Sequence, residues 1–151
     1  MKHRKLLLVE DDAQDLRLTL RALKRINVVN EVDVVGDGAA ALDYLFCRNA
    51  HAQRNPADGP AVVLLDIRLP KLSGLEVLEQ LRQDPRTSNI PVVMLTSSDE
   101  EQDILRSYDL GANSYVRKPL DPGEFTEAVA QLGLYWMLLN EPPKRDRKSV
   151  V

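Results

Sequence analysis

Five short runs of strand-forming residues alternate along the chain with longer stretches of helical pattern. The runs are residues 6–9, 31–36, 61–65, 90–95 and 114–117. Short apolar runs rich in β-branched residues are typical of strands. Residues 61–65 are almost continuously apolar, which indicates a strand covered on both faces of its sheet. The chain therefore predicts a buried sheet whose strands are separated by helices.

Apolar residues three or four positions apart mark the predicted helices. They are Leu16, Leu20 and Leu23, then Leu42 and Phe46, then Leu75, Leu78 and Leu81, then Ile104 and Tyr108, and finally Phe125, Val129, Leu132 and Trp136. We expect the third helix to begin after Gly74 and to end before Pro85, and the fourth to begin near Asp99. Residues 48–60 are polar and contain two prolines and a glycine, so they predict a long loop.

This fivefold alternation predicts the α/β class: a doubly wound, five-stranded parallel sheet in the order 2-1-3-4-5, with a flavodoxin-like arrangement. We expect one domain over residues 1–139. Residues 140–151 hold two prolines and a run of basic residues, and we expect them to form a flexible tail.

Composition restricts the function. The net charge of −3 argues against nucleic acid as a partner. The single cysteine, Cys47, excludes an intramolecular disulfide and suits a reducing compartment. No apolar run approaches the roughly 20 residues that a membrane span needs. We therefore expect a cytoplasmic protein without a membrane partner.

Three acidic residues stand at the ends of predicted strands. Glu10 and Asp11 directly follow the first strand, and Asp66 directly follows the third. In the order 2-1-3-4-5 these strands are neighbours at the topological switch point, where ligands bind. Three close carboxylates repel one another unless a cation intervenes, and Mg²⁺ is the abundant divalent ion with oxygen ligands. The alternative is that the acids after the first strand are solvated loop residues.

Two further polar residues follow the fourth and fifth predicted strands. Thr96 follows an apolar strand, and its hydroxyl can donate a hydrogen bond into the predicted crevice, although this segment could equally cap the next helix. Lys118, which precedes Pro119, is the cation that the fold would deliver beside the three acids. It could bind a phosphoryl oxygen there.

These motifs together resemble the bacterial response-regulator receiver family. They are residues 9–12, residues 65–70 with Ser73 and Gly74, residues 95–96 and residues 111–119, and the resemblance covers about nine-tenths of the chain. It implies that Asp66 is the phosphoryl acceptor. It also implies that Mg²⁺ is bound directly by Asp11, Asp66 and the backbone carbonyl of Arg68, and through water by Glu10.

The resemblance assigns roles to other positions as well. Thr96 and Lys118 would bind phosphoryl oxygens, and Tyr115 would be the aromatic switch residue that moves inward with Thr96. Asp12, one place beyond the metal-binding pair, is expected to start the first helix. Arg68 and Ser98 would set how fast water reaches the phosphoryl group.

A single-domain response regulator is the function implied. It would accept a phosphoryl group from a histidine kinase, would not turn over an external substrate, and would signal to a downstream or phosphotransfer protein. The loop at 48–60 and the Trp-containing carboxyl end resemble small regulators of phytochrome-type kinases. The apolar residues 134–139 predict a homodimer through the fourth helix, fifth strand and fifth helix, unless they pack under the tail.

Other readings compete with this one. A receiver fold could act as a scaffold that needs no phosphorylation. A hydrolase of the haloacid-dehalogenase type would need an acid where Arg68 stands, and a flavin or nucleotide protein would need a phosphate-binding loop where Glu10 and Asp11 stand. Nucleic-acid binding through residues 144–148 is the weakest alternative, because basic chain ends are usually solvated.

Overall fold

A computed structural model describes residues 5–24, 31–56, 59–96, 101–117 and 127. The strands are β1 (Lys5–Val9), β2 (Glu31–Val35), β3 (Val62–Leu65), β4 (Val92–Thr96) and β5 (Ser114–Arg117). The helices are α1 (Ala13–Leu23), α2 (Gly38–Leu45), α3 (Gly74–Gln83) and α4 (Glu101–Asp109). Each of these elements lies within about two residues of its predicted position, as expected where periodicity is strong.

The strands form one parallel sheet in the order β2-β1-β3-β4-β5. The predicted topology is therefore confirmed. Val9 lies opposite Leu65 in the register, and Leu65 lies opposite Met94. Because the strands are parallel and in step, the residues that follow β1 and β3 leave the sheet at the same edge.

Apolar side chains cover both faces of the sheet. Leu7 and Val9 belong to the core that α2 and α3 cover, whereas Leu6 and Leu8 belong to the core on the α1 side. All four are at most 1% exposed. This two-sided burial accounts for the continuous apolar runs, because alternating polar residues would be buried without partners.

Side-chain caps fix where three helices begin. The carboxylate of Asp12 accepts a hydrogen bond from the Asp15 N–H, so Asp12 is the N-cap of α1, as predicted. Asp37 caps α2 in the same way. Ser73 and Glu76 form a capping box at the start of α3.

The polar segment after α2 contains a turn of 3-10 helix at Asn49–His51, where we expected only loop. The Arg54 guanidinium lies 4.2 Å from the centre of the Tyr44 ring, and its Nε donates to the Tyr44 carbonyl. The His51 ring meets the same tyrosine edge-on. These contacts hold the segment against α2. They could not be predicted from the hydropathy pattern, because they involve polar side chains.

The predicted last helix, with Phe125, Val129, Leu132 and Trp136, lies outside the described residues except for Glu127. The predicted tail at 140–151 also lies outside them. Within the described part of the chain, no helix is long and apolar enough to cross a membrane.

Candidate functional site

Three carboxylates meet at the carboxyl edge of the sheet. The carboxylate oxygens of Glu10, Asp11 and Asp66 lie within 4.8 Å of one another. The sheet creates this cluster, since its hydrogen bonds continue past the strand ends. Glu10 N–H donates to the Val35 carbonyl, and Asp66 N–H donates to the Val9 carbonyl. The structure therefore brings together the three acids that the sequence placed at the switch point.

The three acids differ in exposure. Glu10 is 2% exposed and Asp66 is 5% exposed, whereas Asp11 is open to solvent. The alternative of solvated loop acids is therefore wrong for Glu10. Acidic side chains are rarely this buried unless they are paired or bind a cation. Because Asp11 is exposed while Glu10 and Asp66 are buried, the cluster is open to solvent on the Asp11 side, where a ligand could reach it.

Backbone N–H groups orient both buried carboxylates. Asp12 N–H donates to Glu10 Oε2 at 3.2 Å, and Arg68 N–H donates to Asp66 Oδ1 at 3.1 Å. Each donor lies two residues after its acceptor, and hydrogen bonds to charged acceptors are stronger than neutral ones. Sequence analysis missed both donors, because every residue except proline carries an N–H and only the turn geometry decides where it points.

The start of α3 packs directly against the peptide of Asp66. A Cβ atom at Gly74 would overlap the Asp66 carbonyl oxygen and would lie 2.9 Å from the Ile67 Cα. Gly74 N–H also donates to the Ile67 carbonyl at 2.8 Å. Only glycine permits this approach, which accounts for its place beside Ser73 in the motif.

Thr96 and Tyr115 occupy neighbouring strands. Thr96 is the last residue of β4 and lies opposite Arg117 in β5. Its side chain is outside the described part of the structure, as are Ser98, Lys118 and Pro119. Tyr115 is half-buried in β5 and packs against the core on the α2 and α3 side. The phosphoryl-binding and switch roles of these residues stay predictions.

The donor set of the acid cluster fits a hard divalent cation. All three side chains offer carboxylate oxygens, which Mg²⁺ and Mn²⁺ bind in preference to softer ligands. The lysine of β1, Lys5, forms its ion pair with Asp33 at 3.8 Å, and Asp33 is not a member of the acid cluster. A cation between the acids would offset the mutual repulsion that their proximity creates.

Residues 6–130 match the response regulator receiver domain family. The chain belongs to that family. Its order of strands and the acids at its switch point agree with the membership. The receiver is 54% identical to the bacteriophytochrome response regulator RtBRR, over 94% of this chain and 85% of that one, with a TM-score of 0.76.

Two further similar proteins are cyanobacterial. The structure of the phosphorylated phytochrome response regulator RcpA has a TM-score of 0.87 at 37% identity, and the match covers 95% of this receiver and 100% of RcpA. Rcp1 from Synechocystis sp. is 36% identical over 87% of this chain and 88% of its own. The Mn²⁺-bound structure of Rcp1 has a TM-score of 0.86, and the match covers 93% and 99% of the two chains.

Proposed function

We propose that this receiver accepts a phosphoryl group from a histidine kinase on Asp66, in a reaction that requires Mg²⁺. The observation that carries the proposal is the position of Asp66, which is buried within 4.8 Å of two other acids in a chain of the receiver family. The similar protein RcpA is known in a phosphorylated form, which supports the same chemistry here.

The transfer would be a nucleophilic displacement at phosphorus. A carboxylate oxygen of Asp66 attacks the phosphorus of a phosphohistidine, the P–N bond breaks, and the imidazole nitrogen leaves with the bonding pair. The product is an acyl phosphate on Asp66. The hydrogen bond from Arg68 N–H holds the carboxylate in one orientation for this attack. Thr96 and Lys118 would bind the phosphoryl oxygens.

Mg²⁺ would be bound directly by Asp11, Asp66 and the Arg68 backbone carbonyl, with Glu10 reaching it through water. When bound, it offsets the negative charge of the acids and of the transferring group. The hydrogen bond from Asp12 N–H fixes the Glu10 carboxylate, which suits an outer role that needs orientation rather than direct contact. The similar protein Rcp1 is known in an Mn²⁺-bound form, which supports the binding of a divalent cation by this receiver.

We infer that the kinase is of the phytochrome type, because RtBRR is a bacteriophytochrome response regulator and is 54% identical to this chain over the aligned residues. The reaction would take place in the cytoplasm. The protein would not be a turnover enzyme: its acyl phosphate shifts a conformational equilibrium that involves Thr96 and Tyr115, and a downstream protein or a phosphotransfer protein detects the change.

A homodimer through α4, β5 and the predicted last helix is part of the proposal. Leu105 and Tyr108, three positions apart on one face of α4, are 56% and 49% exposed, so their apolar surface is available to a partner. Residues 134–139, which are apolar around most of a helical turn, would extend the same surface.

Phosphotransfer from a bacteriophytochrome kinase, first labelled on its own histidine, tests the proposal. We expect label to move to the wild-type receiver and to Asp109→Asn, which removes an acid of α4, and not to Asp66→Asn. Label on Asp66→Asn would exclude Asp66 as the acceptor. No transfer to any of the three from kinase or acetyl phosphate would favour the phosphorylation-independent scaffold.

A further inference from the structure

The loop between β3 and α3, residues 67–73, contains a strained turn. Lys71 has a φ of 71°, which is uncommon for a residue with a side chain. Leu72 N–H donates to the Pro70 carbonyl at 2.8 Å, so the chain reverses in a γ-turn centred on Lys71. Strained turns of this sign persist only where the surrounding structure determines them.

The start of α2 supplies that surrounding structure. Gly38 N–H donates to the same Pro70 carbonyl at 3.2 Å. A Cβ atom at Gly38 would overlap the carbonyl oxygen of Leu72 and would lie 2.7 Å from the Leu72 Cβ. The Asp37 carboxylate lies 3.7 Å from the Lys71 ammonium. The first turn of α2 therefore packs against the turn backbone to backbone, at a distance that only glycine permits.

The other end of the loop is fixed from α3 and from Asp66. Gly74 N–H donates to the Ile67 carbonyl, and Arg68 N–H donates to the Asp66 carboxylate. Arg68 therefore lies between Ile67, which is bonded to α3, and Pro70, which is bonded to α2. If a change in α2 moved the γ-turn, the backbone of Arg68, only two residues before Pro70, would move with it.

We propose that Gly38 is a positioning residue for the metal site: by admitting α2 to the γ-turn, it sets where the backbone carbonyl of Arg68 lies relative to the three acids. This inference rests on the proposed role of that carbonyl as a Mg²⁺ ligand. Gly38 is not among the proposed ligands of the cation, and it acts through its contacts with Pro70 and Leu72.

Gly38→Ala is the direct test, with Mg²⁺ affinity measured by isothermal titration calorimetry on the full chain. We expect the dissociation constant to rise roughly tenfold, the lower end of the range seen when groups that orient metal ligands are removed. At low Mg²⁺ the rate of phosphorylation by acetyl phosphate should fall by the same factor. At saturating Mg²⁺ it should recover toward the wild-type rate. A purely structural role would lower the melting temperature without this recovery.

Gly36→Ala is the matched control. A Cβ atom at Gly36, two residues earlier in the same connection, would have no atom within 4 Å. Gly36→Ala therefore adds the same methyl group without a clash like the one with Leu72. The Mg²⁺ affinity of this variant should equal that of the wild type.

Lys71→Ala serves if Gly38→Ala does not fold. Electrostatics alone predicts that losing a positive charge from the loop that follows Asp66 tightens Mg²⁺ binding. Loss of positioning through Asp37 predicts the opposite sign, a dissociation constant about twofold higher, in line with the small contribution of an exposed ion pair. The sign of the change separates the two accounts.

Equal Mg²⁺ affinity in Gly38→Ala and the wild type, or tighter binding in Lys71→Ala, would overturn the inference. Both results leave the proposed function standing. A wild-type protein that binds no Mg²⁺ and takes no phosphoryl group would instead refute the proposed function itself.

Discussion

Arg68 donates its backbone N–H to Oδ1 of Asp66 at 3.1 Å, from a position only two residues along the chain. The Asp66 carboxylate is thus oriented by the loop that follows β3. A backbone donor cannot rotate away as a side chain can, so the carboxylate is held before any ligand arrives. The same residue carries, in its next peptide group, the carbonyl proposed to bind Mg²⁺, so one loop serves both functions.

Replacement of Arg68 by proline removes this donor, because proline has no N–H. We expect Arg68→Pro to slow phosphorylation by acetyl phosphate at least roughly tenfold, since a hydrogen bond to a charged acceptor contributes about 1.5–3 kcal/mol. Arg68→Ala keeps the N–H and loses only the exposed side chain, so its rate should stay near that of the wild type. Equal rates in both variants would show that the hydrogen bond does not matter.

Arg82 joins α3 to two other segments, residues 88–90 before β4 and residues 111–113 before β5. Its guanidinium donates to the carbonyls of Ser88, Ile90 and Gly111 and to the side-chain oxygen of Asn113. Burial lowers the pKa of Arg82. Arg82→Met should lower the free energy of unfolding by about 3 kcal/mol, because it leaves several acceptors without a donor.

Urea unfolding measures this loss, and Arg106→Met on the exposed face of α4 is the control. Arg82→Lys should restore only part of the stability, because one ammonium cannot span the acceptors of a planar guanidinium. Full recovery with lysine would mean that charge rather than geometry stabilises this junction.

Tyr44 couples stability to alkaline pH. Its hydroxyl donates to Asp33 at 2.5 Å, and burial together with this bond raises the pKa of Tyr44 well above its ordinary 10.0. The unfolded chain therefore loses this proton first. The contribution of Tyr44 is constant below about pH 10 and declines as the pH rises further.

Tyr44→Phe should lower the free energy of unfolding by about 1–2 kcal/mol at pH 7 and should flatten the decline above pH 10. Tyr108→Phe, at an exposed tyrosine of α4, should change neither quantity. Urea unfolding at pH 7 and at intervals above pH 9 checks both. Parallel alkaline declines in all three proteins would assign the effect to other groups.

The exposed apolar residues of α4 test the proposed dimer. Leu105→Glu should weaken self-association in sedimentation equilibrium by at least about tenfold, because it buries a charge at an interface. Gln14→Glu on the exposed side of α1 adds the same charge elsewhere and should have no effect. A monomer at high micromolar concentration, with and without phosphorylation, would contradict the dimer.

The sheet and its acid cluster could be predicted from the sequence for a physical reason. A strand buried on both faces must be apolar throughout, so Glu10 and Asp66 stand out as the first polar residues after β1 and β3. The N-cap at Asp12 was equally accessible, because a short acidic side chain before a helical pattern is a local signal.

The contacts around the β3–α3 loop could not be predicted from the sequence in this way. The γ-turn at Lys71 lacks the glycine that usually marks a positive φ. The approach of Gly38 to Leu72 joins residues 34 positions apart, and no periodicity encodes it. Sequence patterning specifies which face is buried, whereas backbone-to-backbone approaches depend on how the finished elements pack.

Intact mass after incubation with acetyl phosphate tests the central claim most directly. The account predicts that the wild-type protein gains one phosphoryl group when Mg²⁺ is present and none when it is withheld, and that Asp66→Asn gains none in either condition. A wild-type protein that stays unmodified with Mg²⁺, or an Asp66→Asn variant that still gains the group, would contradict it.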